Sequence, residues 1–130
     1  MEKIPKEHWK TEPDDHDFPA AADYLSLIVD PDRARATAGA LRHATGTTRK
    51  AKDLLRASRL ALLPPDNAHV ASDLAKVKQG NRLSPVLLVR GRLQQDTPLT
   101  IADGYHRICA SYHLDENADI PCRITSLTSS

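Results

Sequence analysis

"IADGYHRICASYHL", residues 101–114, sets an acid, a glycine, an aromatic, a histidine and an arginine side by side between two apolar runs. "PLTIADG" reads as a strand. The stretch after it, "YHRICASYHL", reads as a helix, because Tyr105, Ile108, Cys109 and Tyr112 stand at i, i+3, i+4 and i+7. The strand-to-helix junction therefore falls at Asp103 and Gly104. A glycine there lets the chain turn sharply and approach a ligand closely, since no Cβ stands in the way. The amides after it are the unpaired donors of a helix N-terminus, at the positive end of the helix dipole. With His106 and Arg107 in the first turn, the junction is a place for an anion, phosphate above all. Asp103 would repel a bare phosphate, so its expected role is to hold a magnesium ion that bridges phosphates, or to act as a base. Taken singly, each of these residues is more simply a helix cap or a solvent-facing side chain. Four together at a strand end favour a functional site.

Working upstream, "SPVLLVRG" is a continuous apolar run between Pro85 and Gly91 and predicts a strand buried on both faces. "LPPDN" breaks the chain before it. Asp66 or Asn67 caps a helix running to about Gly80, with Val70, Leu74 and Val77 as its buried stripe. Downstream, "IPCRIT" alternates Ile120, Cys122 and Ile124 with Arg123 and Thr125, a final strand. Cys109 and Cys122 sit inside apolar patterns without metal-type spacing, so they are expected to be packed, reduced thiols.

The N-terminal half is of different character. Residues 1–17 carry six acidic and three basic side chains and little apolar periodicity, which suits a flexible arm, with Trp9 as a candidate anchor to the body. His8 and His16 raise the idea of a metal site, but no third ligand stands at a supporting spacing. Residues 18–57 read as a helical extension. "PAAADYLSLIV" opens it, "DPDRARATAGALRHA" comes next with Asp30 as N-cap and Pro31 at the first helical position, and "RKAKDLLRASRL" is a further helical stretch. Six basic residues against the single Asp53 lie between Arg42 and Arg59, the most basic stretch of the chain. A solvated helix face commonly looks like this. It is also where a phosphate-backbone contact would be sought, at Arg49, Lys50, Lys52 and Arg56.

Length and composition set the outer limits. The 130 residues suit one compact domain, with the core at 58–130. Eighteen basic against 17 acidic residues exclude a general polycation, so any contact with DNA or an acidic partner must be local. No stretch approaches the roughly 20 apolar residues of a membrane span, and the first residues lack a secretory pattern, so no membrane association and a cytoplasmic location are expected.

"PVLLVRG", a variable loop, "LTIADGYHR", a helix and "IPCRI" resemble the core of the ParB/sulfiredoxin superfamily, over roughly residues 58–125. The resemblance implies an α+β fold in which a small mixed sheet with flanking helices comes after the N-terminal helical extension. It also implies that the Gly-x-His-Arg motif binds nucleotide phosphates. Gly104, Tyr105, His106 and Arg107 would be nucleotide-binding, and an upstream helix would add His69, Ser72 and Lys76, which share one face at i, i+3 and i+7. The acid in "DGYHR" resembles the kinase-like and nuclease-like members, which implies Asp103 and His106 as catalytic residues and Mg2+ held by Asp103 through the nucleotide. Sulfiredoxins place a reactive cysteine where this chain has Tyr105, so sulfinic-acid reductase activity is not expected. Only a few residues follow the core, so the helix-turn-helix domain of partition-type ParB proteins is not expected. The expected function is binding of a nucleoside di- or triphosphate, with magnesium-dependent hydrolase, kinase or nuclease chemistry as its active form. The alternative is a non-catalytic module that senses nucleotide or binds DNA or a protein.

Overall fold

The computed structural model describes residues 8–128. Among these residues it is a small mixed α/β protein with five α-helices and a four-stranded mixed sheet. The helices are α1 (Asp17–Leu25), α2 (Pro31–His43), α3 (Ala51–Ser58), α4 (Ala68–Lys78) and α5 (Tyr105–Leu114). The strands are β1 (Thr47–Lys50), β2 (Val86–Val89), β3 (Thr100–Asp103) and β4 (Asp119–Thr125), arranged β1-β4-β2-β3. β4 is antiparallel to β1 and parallel to β2, and β2 is antiparallel to β3.

The central strand explains the layering. In "VLLV" alternate residues face opposite sides of the sheet, and all four are buried. Val86 and Leu88 join a core with Leu54 and Leu55 of α3, Val70 and Val77 of α4, and Ile108 and Cys109 of α5. Leu87 and Val89 join a second core on the other side with Phe18, Ala21 and Leu25 of α1 and Ala34 and Leu41 of α2. The sheet is thus sandwiched between α1–α2 and α3–α4–α5, a three-layer solution that hides both faces. Burial of Leu87, Leu88 and Ile108 alone removes enough apolar surface to stabilise by about 1.5–3 kcal/mol each.

Local chemistry sets the helix ends. Asp30 accepts a bond from the Arg33 amide at 3.0 Å ahead of Pro31, as expected, and of the two residues offered for α4 it is Asn67, accepting from the His69 and Val70 amides, that caps the helix. Two sequence expectations change. "RKAKDLLRASRL" is not helical from its start: Arg49 and Lys50 belong to β1, where they pair with Ile120 and Asp119 of β4. Residues 18–57 therefore contribute a strand to the same sheet as the core. The arm, from His8 onward, is held against the body: Trp9 bridges to Leu83 and is buried with the α3–α5 core. The remainder of the arm, residues 1–7, lies outside the described residues. No helix among the described residues is long and apolar enough to cross a membrane.

Candidate functional site

β3 ends at Asp103 and α5 begins after its N-cap, Gly104, whose φ of 111° lies in the left-handed region that favours glycine. A Cβ on Gly104 would meet the Val86 side chain, with Val86 Cβ at 2.8 Å, and the Arg107 guanidinium at 2.9 Å. The missing Cβ therefore admits the neighbouring strand and the arginine of the same turn, rather than opening a path for a ligand as its place in the sequence suggested. Gly104 shapes the junction, and the amides beyond it carry any anion contact.

In front of the junction is a polar cleft of about 580 Å3. Asp103, Gly104, His106 and Arg107 line one wall, and His69, Ser72 and Lys76 of α4 line another. The structure thus brings together two groups of candidate residues separated in sequence by the whole of β2 and its loops. His69 and His106 stack with ring centroids 4.6 Å apart. Burial, then the neighbouring His69, pushes the His106 imidazole below its ordinary pKa, so it is neutral at pH 7. Tyr105 departs from the set. Its hydroxyl donates to the Ala61 carbonyl and its side chain does not line the cleft, so it ties the loop after α3 to α5.

Asp103 and Arg107 form an ion pair at 2.7 Å, each side chain only 17% exposed. Arg107 Nη2 also donates to the Pro85 carbonyl at 3.4 Å, while its buried Nε meets no acceptor among the described residues. Burial raises the Asp103 carboxyl above its ordinary pKa, and the attraction of Arg107 only partly opposes it. The cation that neutralises Asp103 is therefore the arginine one helical turn later. That engagement leaves one carboxylate oxygen for any metal.

Sequence reasoning missed a third wall. Lys10, Asp14, His16 and Asp17 come from the arm, and Asp73 and the 81–84 segment, with Arg82 and Ser84, complete the lining. Lys10 pairs with Asp14 at 2.8 Å and holds that carboxyl below its usual range. Asp73 pairs with Lys76 at 3.7 Å. The D-x-H-D spacing at residues 14–17 was the available signal, but nothing local announces that the arm folds beside residues 103–107. Lys10, Lys76, Arg82 and Arg107 face four aspartates (14, 17, 73 and 103), so the fixed charges of the cleft balance.

The basic stretch lies elsewhere. Arg49 bonds to Thr47 and Thr48, Lys50 pairs with Asp119 at 3.5 Å, and Arg56 pairs with Asp53 at 3.1 Å. Arg49 borders a hollow between α2, β1 and β4, Lys50, Lys52 and Arg56 border another at the β1–α3 edge, and none of the four lines the cleft. Arg90, at the end of β2, joins Arg49 and His43 around one of these. A further hollow of about 480 Å3 between α1 and α2 is mainly apolar, and none of the cleft's candidate residues lines it. Cys109 and Cys122 are both buried free thiols, and burial raises both pKa values, that of Cys122 to about 11, so neither offers a thiolate at neutral pH. Against protein-family models, curated proteins and solved structures, the chain has no significant match.

Proposed function

We propose that the cleft binds a nucleoside di- or triphosphate, in the manner of the ParB/sulfiredoxin superfamily that the DGYHR segment resembles. One observation carries the reading: candidate residues from α4 and from the β3–α5 junction, far apart in the chain, line one polar cleft. The phosphates lie against the first amides of α5, with Arg107 and Lys76 as cations, and His69 and His106 supply ring edges and faces to the rest of the nucleotide. Because the fixed charges of the cleft balance, a polyphosphate carries in its own counter-cation, Mg2+ in the first instance. The engagement of Asp103 by Arg107 favours a second reading at the same site, a nucleotide sensor without turnover, since the guanidinium already occupies a carboxylate oxygen that a metal or a reacting hydroxyl would need.

A thermal-shift screen of ATP, ADP, CTP and GTP, with magnesium and with chelator, tests the proposal. A ligand at 100 times its Kd stabilises by about 2.7 kcal/mol, a rise of several degrees for a domain of this size. At least one nucleotide is expected to produce it, and Lys76→Ala to diminish it. No shift with any of the four, or an undiminished shift in Lys76→Ala, overturns the reading. Release of labelled phosphate from the nucleotide that binds separates enzyme from sensor.

A further inference from the structure

We propose that Asp14, His16 and Asp17 form a divalent-cation site in the arm wall of the cleft, with a nitrogen–oxygen donor set suited to Mn2+ or Zn2+. One ligand atom from each residue lies within 4.8 Å of the others. Donors that share an ion at about 2.1 Å stand roughly 3–4 Å apart, so a small contraction completes the set. His16 supplies it, because its side chain is 81% exposed and its Nε2 already stands 3.4 Å from Asp17 Oδ1.

The second observation is the state of Asp17. Its side chain is 3% exposed, and no lysine or arginine pairs with it among the described residues. The turn at the start of α1 fixes its position: the Asp17 amide donates to the Asp14 carbonyl at 3.0 Å, and the Asp14 amide donates to Asp17 Oδ2 at 3.1 Å. Among the described residues that leaves Oδ1 with no hydrogen bond and only His16 Nε2 beside it, at 3.4 Å. A carboxylate so deeply placed is costly unless a cation compensates it. Lys10, at 2.8 Å from Asp14, already shows that a cation is accommodated against the same group of donors, and it would compete with the metal for Asp14.

The donor chemistry selects the ion. Magnesium and calcium prefer all-oxygen surroundings, whereas an imidazole with two carboxylates suits manganese or zinc. Three protein ligands leave coordination positions open towards the cleft for water or an anionic oxygen. The site does not require the nucleotide reading and can be tested without any nucleotide.

The experiment titrates the full chain with MnCl2, monitoring loss of the free-ion electron paramagnetic resonance signal, and repeats it by calorimetry with ZnCl2. One tight site is expected. His16→Ala and Asp14→Ala should each weaken it at least tenfold while leaving the metal-free melting temperature close to that of the wild type, and Lys10→Ala should tighten it. These positions are chosen because Asp17→Asn, at a buried helix start, tests folding as much as binding. Absence of Mn2+ and Zn2+ binding below 1 mM overturns the proposal. So does unchanged affinity in His16→Ala, or a site abolished by His106→Ala instead, which would place the metal on the histidine pair of the opposite wall.

Discussion

The cleft and the β1–α3 edge use the same side chains to opposite effect. At the edge, Arg56 pairs with Asp53 while 83% exposed, and Lys50 with Asp119 likewise in solvent. Water screens such pairs, and each is worth at most a few tenths of a kcal/mol. In the cleft, Asp103 and Arg107 make a similar bridge with little water around either, so removing one partner strands the other in a poorly solvated place. The difference lies in desolvation and not in charge count. It predicts that substitutions in the most basic stretch of the sequence cost little and that those in the neutral cleft cost more.

The comparison can be broken most forcefully at Gly104. Gly104→Ala puts a Cβ into Val86 at a backbone angle that L-residues rarely adopt, and should destabilise by about 3 kcal/mol or more, seen as a lowered thermal midpoint and loss of any cleft ligand. A loss below about 1 kcal/mol would mean that the junction is not held as described.

Arg107→Ala should come next, at about 3 kcal/mol near neutral pH, because Asp103 is left buried without its cation. The pH dependence has a definite sign. The folded-state pKa of Asp103 is raised above the ordinary 3.8, so the native state holds the proton more tightly than the unfolded chain. Stability therefore falls as pH rises from about 3.8 through the raised value, and removing Arg107 extends that fall. Urea unfolding with chelator present should show the difference between variant and wild type shrinking as pH is lowered towards 4. A difference independent of pH would place the cost in lost packing instead.

The smallest effect is expected at the edge. Arg56→Ala or Lys50→Ala should change stability by less than about 0.5 kcal/mol, and increasingly little as salt is added. A loss above 1 kcal/mol at either would erase the contrast between the two regions.

Legibility in the sequence divides along the same line between local and distant physics. The caps at Asp30 and Asn67, the doubly buried "VLLV" and the turn at Gly104 were legible because each depends on neighbours within a few residues. β1 was not legible: "TTRK" is a short edge strand, mostly exposed, with no apolar face to reveal it, and its pairing partner lies at the far end of the chain. In the site, His69, Ser72 and Lys76 could be chosen from one helix face, and Asp103 to Arg107 from one turn. The arm wall could not, because Trp9 anchors it through contacts with Leu83 and the core that no periodicity encodes. Nor could the ion pair of Asp103 with Arg107 be separated beforehand from a free acid beside a free base, since both have the same spacing.

The central claim, that the two helix-borne walls of the cleft act together on a phosphate ligand, is tested most directly by residue-resolved NMR. Amide shifts of the nitrogen-15-labelled chain would be tracked while ATP and CTP are added in turn, with magnesium present. The account predicts saturable shifts for Gly104 to Arg107 and for His69 to Lys76 at a single apparent Kd, weakened in Lys76→Ala, with the amides of β1 and α3 unmoved. Shifts confined to the β1–α3 edge, or none with either nucleotide at millimolar concentration, would contradict it.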